Sequence, residues 1–398
     1  MTDKPHVMIA GAGIGGLTAA LALLQRGFEV DVYEAAPELG EIGAGVQVSA
    51  NGTRVLYHLG LGEAIERVGW PPTGKDIRIW NTGQTWPLFD LGTQSIEHYG
   101  YPYFMFHRAD LHAVLVDAVL AARPGCIHLD SRVADMAQDG GDVVLRLDGG
   151  GSARGDVLIG ADGIHSAVRA ALFGPDRPKF TGCMAWRGII DVARLPDGLV
   201  PPVGSLWVGP GGHVVHYHVR GGALVNFVGV RERDDWRIES YTAEGTVEEC
   251  LADYAGWHDT IQILIRHIER PMKWALMDRE PLARCTLGRV TLLGDACHPM
   301  LPFLAQGAVM AIEDGLIIAR CLDANDDPEV ALLRYQEARL ERCTKTVHGS
   351  TENMKRIHNQ TLADPEVARK FADAQWDTES VKQRYDWLFT YDATSVPV

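Results

Sequence analysis

The first part of the chain alternates between apolar runs and single glycines. The run from His6 to Ala10 has no polar alternation, which is typical of a strand buried on both faces of a parallel sheet. The next apolar segment, Leu17 to Gln25, is rich in alanine and leucine and predicts a helix that ends at Gly27. Glu29–Tyr33 predicts a second strand. The pattern therefore predicts the strand–helix–strand unit of a Rossmann-like sheet.

The middle of the chain follows a different period. Within 75–98 and 180–271, apolar and polar residues alternate between glycine-rich turns, which predicts a mainly antiparallel sheet. One face of that sheet would form the wall of a ligand pocket. From Asp327 onward the apolar residues return to helical spacing, most clearly from Leu332 to Val347.

One strand of the middle region carries several polar side chains. Alternation along His213–Val219 places His213 and Tyr217 on one face of the strand. His216 and His218 lie on the opposite face, which we expect to be exposed to solvent.

The turn after the first strand has the spacing of a dinucleotide-binding motif. Gly11 would permit the tight turn, Gly13 would let the backbone approach a pyrophosphate, and Gly16 would allow the helix to pack closely on the strand. The helix N-terminus would offer free N–H groups to the phosphates. The second strand ends at Glu34, about 20 residues later, where such folds place an acid on the ribose. The acid favours a free 2′-hydroxyl, which is typical of FAD or NAD.

Three further motifs follow in order along the chain. Arg108 lies at the start of a predicted helix, Asp162 lies in an Asp-Gly turn, and Asp295 ends a short apolar strand. Cys297 and His298 follow one residue after Asp295, which raises the question of a metal site. Adjacent side chains rarely reach one ion, and no partner pair has zinc spacing, so we predict no metal and a buried packing role for Cys297.

Composition and charge narrow the possible partners. The 398 residues carry a formal charge of −15, which argues against nucleic acid or an anionic membrane as a partner. The seven scattered cysteines are typical of a reducing compartment, and no apolar stretch is long enough to span a bilayer. We therefore expect a soluble, cytoplasmic protein. Either a monomer or a homodimer is compatible with the aromatic C-terminal tail, which would dock on the chain's own core or on a second copy.

Taken in order, these motifs resemble those of the group A flavoprotein aromatic hydroxylases, the family of 4-hydroxybenzoate 3-hydroxylase and salicylate hydroxylase. The resemblance covers nearly the whole chain. Residues 103–108, 277–281 and 385–391 are most similar to the 3-hydroxybenzoate 6-hydroxylases, and residues 295–300 to the 6-hydroxynicotinate 3-monooxygenases.

The resemblance implies an α/β fold with a discontinuous, Rossmann-like FAD-binding domain of the GR2 type, an inserted, mainly antiparallel β-sheet substrate domain, and C-terminal helices. The expected FAD-binding segments are 1–74, 103–178 and 272–358. The expected substrate domain comprises 75–102 and 179–271, and the helical tail comprises 359–398.

The resemblance also implies FAD as cofactor and NADH or NADPH as a transient co-substrate. Asp295 would accept hydrogen bonds from the ribityl chain, and Pro299 would pack near the isoalloxazine. The helix beginning at Gly307 would direct N–H groups toward the flavin N1/O2 edge. Arg108 would contact FAD between its pyrophosphate and ribityl ends, and Asp162 would support the pyrophosphate and the approach of the nicotinamide donor. The predicted cofactor-binding residues are Gly11, Gly13, Gly15, Gly16, Glu34, Ala35, Gln47, Arg108, Val133, Asp162, Asp295, Pro299, Gly307 and Ala308.

His213 and Tyr217 are the predicted catalytic residues, because relatives carry a histidine and a tyrosine there in the substrate pocket. In this family, reduced flavin and O2 give a C4a-hydroperoxide with an electrophilic terminal oxygen. Removing the phenol proton makes the substrate ring more reactive toward that oxygen, and a His/Tyr pair could take the proton. Alternatively, the two side chains only satisfy each other's polar atoms. Gln47 replaces a histidine of the pyridine enzymes, and Pro302-Phe303 replaces polar residues, so the exact substrate stays open.

The function that we predict is hydroxylation of a small hydroxylated aromatic acid of the hydroxybenzoate type, with NAD(P)H and O2. A second possibility is decarboxylative hydroxylation, as of salicylate or 6-hydroxynicotinate, which differs in the CO2 released per NADH oxidised. A third possibility, from another class, is a flavin-binding reductase or carrier that transfers no oxygen. That protein would oxidise NADH at a rate that no aromatic compound changes.

Overall fold

The computed structural model describes residues 4–40, 45–233, 235 and 243–398, so residues 41–44 of the glycine-rich stretch before Gln47 lie outside the described residues. In chain order the strands are β1 His6–Ala10, β2 Glu29–Tyr33, β3 Gly45–Val48, β4 Gly74–Ile79, β5 Thr85–Asp90, β6 Phe104–His107, β7 Ile127–His128, β8 Val133–Asp139, β9 Asp142–Leu147, β10 Ser152–Gly155, β11 Val157–Gly160, β12 Lys179–Asp191, β13 Gly204–Gly209, β14 Gly212–Val219, β15 Leu224–Glu232, β16 Met272–Asp278, β17 Thr286–Leu287 and β18 Val290–Leu292.

The α-helices are α1 Ile14–Leu24, α2 Ala50–His58, α3 Gly62–Val68, α4 Thr93–Tyr99, α5 Arg108–Ala122, α6 Ala167–Phe173, α7 Val247–Asp253, α8 Asp259–Arg266, α9 Gly307–Ala324, α10 Pro328–Ile357, α11 Pro365–Gln375 and α12 Thr378–Phe389. Among the described residues, none of these helices is both long and apolar enough to cross a membrane.

The first sheet has six strands in the order β17-β18-β11-β1-β2-β7. All its pairs are parallel except β17–β18. The central strands β1 and β11 are almost wholly buried, as their unbroken apolar sequences predict, because helices α1, α5 and α9 pack beside them. The Rossmann-like part of the predicted fold is confirmed.

The second large sheet has the order β16-β12-β15-β14-β13-β4-β5, and all its pairs are antiparallel except β4–β13. The mainly antiparallel sheet is thus confirmed. Its edge strand β16 begins at Met272, one residue past the expected end of the inserted segment at 271. The division of the chain into domains at the expected boundaries stays a prediction.

His216 and His218 do not face solvent, so that expectation was wrong. His216 is fully buried and His218 is only 9 % exposed. The reason is that the outer face of the sheet is also covered: helices α7 and α8 form an apolar cluster with it that includes Trp207 and Trp257. In this layer the indole N–H of Trp207 donates to His216 Nε2 at 2.9 Å.

The C-terminal tail packs against the chain's own core. Trp376, Tyr385 and Phe389 are buried in a cluster beneath the antiparallel sheet. Arg342, on α10, donates to the carbonyls of Trp387 and Leu388, both at 3.1 Å. The helix α10 is longer than the predicted segment 332–347, and its far end carries residues into the neighbourhood of the second sheet.

Candidate active site

The glycine turn between β1 and α1 has the geometry that the sequence predicts. Gly11 has a φ of +100°, which favours glycine. A Cβ at Gly16 would lie 2.1 Å from the Gly11 carbonyl oxygen, so α1 packs against the turn at a distance that only glycine allows. A Cβ at Gly13 would meet no atom within 4 Å. The space above Gly13 is therefore open to a phosphate group.

Glu34 is held beside this turn by backbone groups. Its two carboxylate oxygens accept hydrogen bonds from the N–H groups of Ala12 and Ala36, at 2.7 and 2.8 Å. These bonds orient an acid at the end of β2, where an adenosine ribose would lie. Ala35 follows Glu34, and Val133 begins β8.

A cavity of about 370 Å³ begins at the glycine turn and extends to the second sheet. Ten of the predicted site residues line it, namely Gly13, Gly15, Gly16, Gln47, Arg108, His213, Tyr217, Asp295, Gly307 and Ala308. The other six lie outside this lining as the structure describes it, namely Gly11, Glu34, Ala35, Val133, Asp162 and Pro299. Ten of the predicted residues, drawn from both the cofactor and the substrate sets, thus share one cavity.

Asp295 exposes its side chain to this cavity, although protein surrounds it on the other sides. Burial raises the pKa of its carboxyl, and the charges of His298 and Arg108 oppose that shift. An acid in this position can accept hydrogen bonds from hydroxyl groups. The electrostatic link to Arg108 places a cation and an anion together on the cavity wall.

The helix α9 begins at Gly307, so its first N–H groups have no carbonyl partner within the helix. Gly307 and Ala308 line the cavity, and the helix dipole favours negative charge there. Pro299 is buried just before this segment. The residues therefore fit FAD: open space over a glycine turn for the pyrophosphate, an acid for the ribityl hydroxyls, and a helix N-terminus for the flavin.

Asp162 is directed toward a different helix N-terminus. Its carboxylate accepts from the Ser166 hydroxyl at 2.5 Å and from the N–H groups of Ala167 and Val168, so it caps α6. Burial raises the pKa of Asp162, and the bond from Ser166 opposes that shift. Its neighbours Ala161 and Gly163 line the cavity. The structure thus shows a role for Asp162 in holding the turn, and its predicted contact with FAD stays a prediction.

The Cys-His pair beside Asp295 belongs to a buried ionic network. His298 Nε2 lies 2.6 Å from an Asp314 oxygen, and Arg339 Nε donates to the other Asp314 oxygen at 2.7 Å. The Gly294 N–H donates to Asp314 at 3.0 Å, which fixes the end of β18. Cys297 is buried in the core, as predicted.

A metal ion would compete with this network. His298 and Asp314 lie close enough to Cys343 for the three to reach one ion. The carboxylate of Asp314 is already bonded to Arg339, and a fixed guanidinium beside the cluster disfavours a second cation. We therefore assign Asp314 to holding the strand end on which Asp295 lies.

At the other end of the cavity, three side chains share one face of the second sheet. Arg187 on β12 pairs with Val228, which in turn pairs with Val215. Val215 lies between His213 and Tyr217 on its strand, so Arg187 faces the same way, and all of these residues line the cavity. The guanidinium of Arg187 also lies 4.3 Å from the Trp274 ring centroid. Arg187 brings a positive charge to the cavity, and the sequence alone did not predict this residue as part of the site.

A chain of hydrogen bonds runs from Lys75 through Tyr103 and Gln47 to Tyr217. Lys75 Nζ donates to the Tyr103 hydroxyl at 2.9 Å, and that hydroxyl donates to Gln47 Oε1 at 2.7 Å. Burial raises the pKa of Tyr217, while a bond from Gln47 and the charge of Arg187 oppose that shift. Burial also lowers the pKa of Lys75 to about 7. All donors in this chain point from Lys75 toward the Tyr217 oxygen.

His213 has a partner of its own. Its Nδ1 lies 2.7 Å from Nε2 of His358, the residue after α10, and His358 Nδ1 lies 3.1 Å from an oxygen of Glu232. Burial and the neighbouring His358 hold the pKa of His213 well below its usual range. His213 and Tyr217 are therefore bonded to separate partners, and the contacts that the structure shows for them do not include a bond between the two.

Sequence reasoning missed Arg187, Lys75 and His358. Arg187 could have been found from the alternation on its own strand, once the register with β14 was known. Lys75 and His358 are far from β14 along the chain, and only the folded structure brings them beside it.

A larger groove of about 1020 Å³ lies elsewhere, between α10, α12 and residues 280–283. It contains none of the predicted site residues. We place the site in the smaller cavity because that cavity holds the glycine turn, Asp295 and the His213–Tyr217 pair.

Curated relatives match this chain along nearly its full length. It is 38% identical over 396 residues to 3-amino-4-hydroxybenzoate 2-monooxygenase of Streptomyces platensis, covering 99% of this chain and 98% of the relative. It is 35% identical to 6-hydroxynicotinate 3-monooxygenase of Pseudomonas fluorescens, covering 100% and 98%. It is also 35% identical to 3-hydroxybenzoate 6-hydroxylase of Polaromonas naphthalenivorans, covering 98% of each chain.

Solved structures and a family model agree with these matches. The HpxO protein of Klebsiella pneumoniae, in a complex with FAD and uric acid, superimposes with a TM-score of 0.85 at 28% identity, covering 97% of each chain. Residues 4–350 match the model described as an FAD binding domain. The predicted cofactor and reaction class are confirmed, and the chain belongs to the FAD-dependent aromatic hydroxylases of group A.

Proposed function

We propose that this enzyme hydroxylates the ring of a small aromatic acid that already carries a hydroxyl group, such as a hydroxybenzoate, with NADH or NADPH and O2. The observation that carries the proposal is the arrangement of the cavity. Its cofactor end holds the glycine turn and Asp295, and its far end presents a cation, a phenol and an imidazole: Arg187, Tyr217 and His213.

The cation supports an acidic substrate. The whole chain is strongly negative, yet Arg108 and Arg187 bring positive charge to the cavity wall. A guanidinium can bind a carboxylate through two parallel hydrogen bonds. In this proposal the substrate carboxylate binds Arg187, and its hydroxyl group lies beside Tyr217 and His213. The names of the relatives support this substrate class, since two of them specify hydroxybenzoates.

Bound FAD supplies hydride acceptance from the nicotinamide and activation of O2. The residues of this chain prepare the substrate. Tyr217 donates a hydrogen bond to the substrate oxygen, strengthened by the donors that begin at Lys75. His213 takes the substrate's phenolic proton. Gly307 and the first turn of α9 stabilise negative charge at the cofactor end.

A second candidate is decarboxylative hydroxylation of salicylate or 6-hydroxynicotinate. It is favoured by the full-length similarity to 6-hydroxynicotinate 3-monooxygenase. Arg187 is compatible with either reaction, because a carboxylate must bind in both. CO2 released per NADH oxidised separates the two, with none expected for simple ring hydroxylation.

The test is a screen of hydroxybenzoates and hydroxypyridine acids for stimulated NADH and O2 consumption, with the product identified by mass. We expect at least one hydroxybenzoate to stimulate consumption and to gain one oxygen atom. NADH oxidation that no aromatic acid changes, with no hydroxylated product, would instead indicate a reductase. Arg187→Gln should raise the dissociation constant of the acid about 10- to 100-fold, as expected for loss of a charge-assisted hydrogen bond, with little effect on the matching neutral amide.

Two finer points belong to this proposal. The cytoplasm is the proposed compartment, supported by seven cysteines that are all buried and free. A monomer is the proposed state, supported by the tail aromatics that pack on the chain's own core; size-exclusion chromatography with light scattering distinguishes it from a homodimer.

A further inference from the structure

A row of three titratable side chains connects the substrate end of the cavity with the surface. His213 is 4 % exposed and lines the cavity. His358, the second in the row, is 3 % exposed, and its two ring nitrogens contact His213 and Glu232 at 2.7 and 3.1 Å. The side chain of Glu232 is 44 % exposed. The row therefore begins at the substrate and ends in solvent.

The geometry fixes which ring nitrogens face each other, and the tautomer decides which of them donates. Because His213 Nδ1 is bonded to His358 Nε2, the imidazole of His213 has Nε2 to offer to a molecule in the cavity. His358 Nδ1 is in turn directed at Glu232. With His213 and His358 each protonated at Nδ1, every bond in the row runs outward: His213 donates to His358, and His358 donates to the carboxylate.

The surroundings keep the two imidazoles in contact. The Phe303 ring meets the rings of His213 and His358 edge-on, with centroids 5.3 and 5.6 Å apart. Phe303 thus covers the pair on one side with an apolar wall. Three further groups affect these side chains: Arg231 lowers the pKa of Glu232 less than His358 does, the Tyr254 hydroxyl is directed at the His213 carbonyl, and Tyr217 lies on the same strand face.

From this geometry we infer that His213, His358 and Glu232 form a proton relay that carries the substrate's phenolic proton from the cavity to solvent. The inference rests on the proposed function, because it needs a phenol beside His213. In the step, the substrate O–H bond breaks and its proton joins His213 Nε2. The Nδ1 proton of His213 passes to His358 Nε2, and the Nδ1 proton of His358 passes to Glu232 and then to water.

The proton balance of this relay is simple. The substrate becomes an anion and Glu232 becomes neutral until it releases its proton to solvent. Both imidazoles stay neutral overall and exchange only the nitrogen that carries the proton. This agrees with burial and the His358 contact, which disfavour a charged His213 by lowering its pKa. The relay therefore needs no cationic histidine in the buried pair.

The test measures proton release when a hydroxybenzoate is mixed with FAD-loaded protein in weak buffer that contains a pH indicator. His358→Gln is the informative variant, because an amide can accept from His213 and donate to Glu232 but cannot pass a proton between them. We expect proton release at least about tenfold slower than in the wild type, as for loss of general acid–base transfer. The dissociation constant of the hydroxybenzoate should change by less than about threefold, since the hydrogen bonds are kept.

Two more variants complete the design. Glu232→Gln lies near the surface and should also slow proton release, which provides a second test if His358→Gln does not fold. His218→Gln is the control: it removes an imidazole from the opposite face of β14 and should leave the release rate unchanged. Release as fast in Glu232→Gln and His358→Gln as in the wild type overturns the relay alone. A wild-type protein that binds no hydroxybenzoate overturns the proposed function and the relay with it.

Discussion

The two ends of the cavity are built in different ways. At the cofactor end, the contacts that matter come from backbone geometry over short stretches of chain: the Gly11–Gly16 turn, the N-terminus of α9 and the strand end before Asp295. At the substrate end, they come from side chains that the sheet register and α10 bring together. Any two of the residues Lys75, Arg187 and His358 lie at least 112 positions apart in the sequence. A cofactor that a whole family shares requires a constant backbone geometry, whereas substitution of single side chains can change which substrate binds.

The glycine turn offers the largest expected effect. In Gly16→Ala the new Cβ would lie 2.1 Å from the Gly11 carbonyl oxygen, so the turn cannot close. We expect protein without bound flavin, measured by visible absorbance. Gly13→Ala is the matched control, because its φ of −74° suits alanine and its Cβ meets no protein atom.

For Gly13→Ala we expect the unfolding free energy of the flavin-free protein to stay within about 0.5 kcal/mol of the wild type. FAD affinity should nevertheless fall, because the methyl group occupies the space of the pyrophosphate. Flavin content equal to that of the wild type in both variants would contradict the claim that backbone geometry makes the cofactor end.

The network behind Asp295 should give the next largest effect. Asp314→Asn leaves Arg339 and His298 without their shared carboxylate, and breaking a buried ion pair costs about 3–5 kcal/mol of stability. Chemical denaturation measures this change. A cost below about 1 kcal/mol, the range of exposed ion pairs, would contradict the network's role.

Acid should weaken the same network. Although burial alone would raise it, the charges of His298 and Arg339 hold the pKa of Asp314 well below its usual range. A carboxyl with a lowered folded-state pKa stabilises the fold above its unfolded value, near 4, and loses that contribution as the pH falls below it. In the wild type, stability should therefore fall more steeply below about pH 4 than in Asp314→Asn, as measured by denaturation at several pH values.

Lys75 should show a smaller effect, with opposite signs for stability and binding. Because burial lowers the pKa of Lys75 to about 7, the folded protein holds a proton less readily than the unfolded chain. Its burial cost is full below pH 7 and is relieved as the pH rises toward about 10.4. The two pKa values imply a burial cost on the order of 4–5 kcal/mol at pH 6, and loss of the hydrogen bond to Tyr103 offsets about 1.5 kcal/mol of it. Lys75→Met should thus be more stable than the wild type at pH 6 by on the order of 3 kcal/mol, with the gain gone near pH 10.5.

The same variant should bind hydroxybenzoate more weakly, because the donors that end at Tyr217 lose their source of positive charge. Tyr103→Phe keeps the lysine but interrupts the hydrogen-bonded chain, so it should also weaken hydroxybenzoate binding. If both variants bind the substrate as tightly as the wild type, the substrate end does not use this chain.

These contrasts explain what the sequence could predict. The glycine spacing, the acid at Glu34 and the strand end at Asp295 are local sequence patterns. In the structure, the glycines form the turn after β1, Glu34 accepts hydrogen bonds beside that turn, and Asp295 lines the cavity. Period-two alternation placed His213 and Tyr217 on one face of their strand, and the family resemblance identified them as the predicted catalytic residues. The same alternation predicted exposure for His216 and failed, because alternation reports which residues share a face and not whether a helix covers it. His358 has no local pattern at all; only tertiary contact with β14 gives it a role.

A crystal structure of the FAD-loaded protein with a hydroxybenzoate bound would show directly where the acid binds. We expect the ring at the second-sheet end of the cavity, with its carboxylate on Arg187 and its hydroxyl group within hydrogen-bond distance of Tyr217 or His213. A ring bound instead in the groove between α10 and α12, or a carboxylate directed away from Arg187, would contradict this expectation.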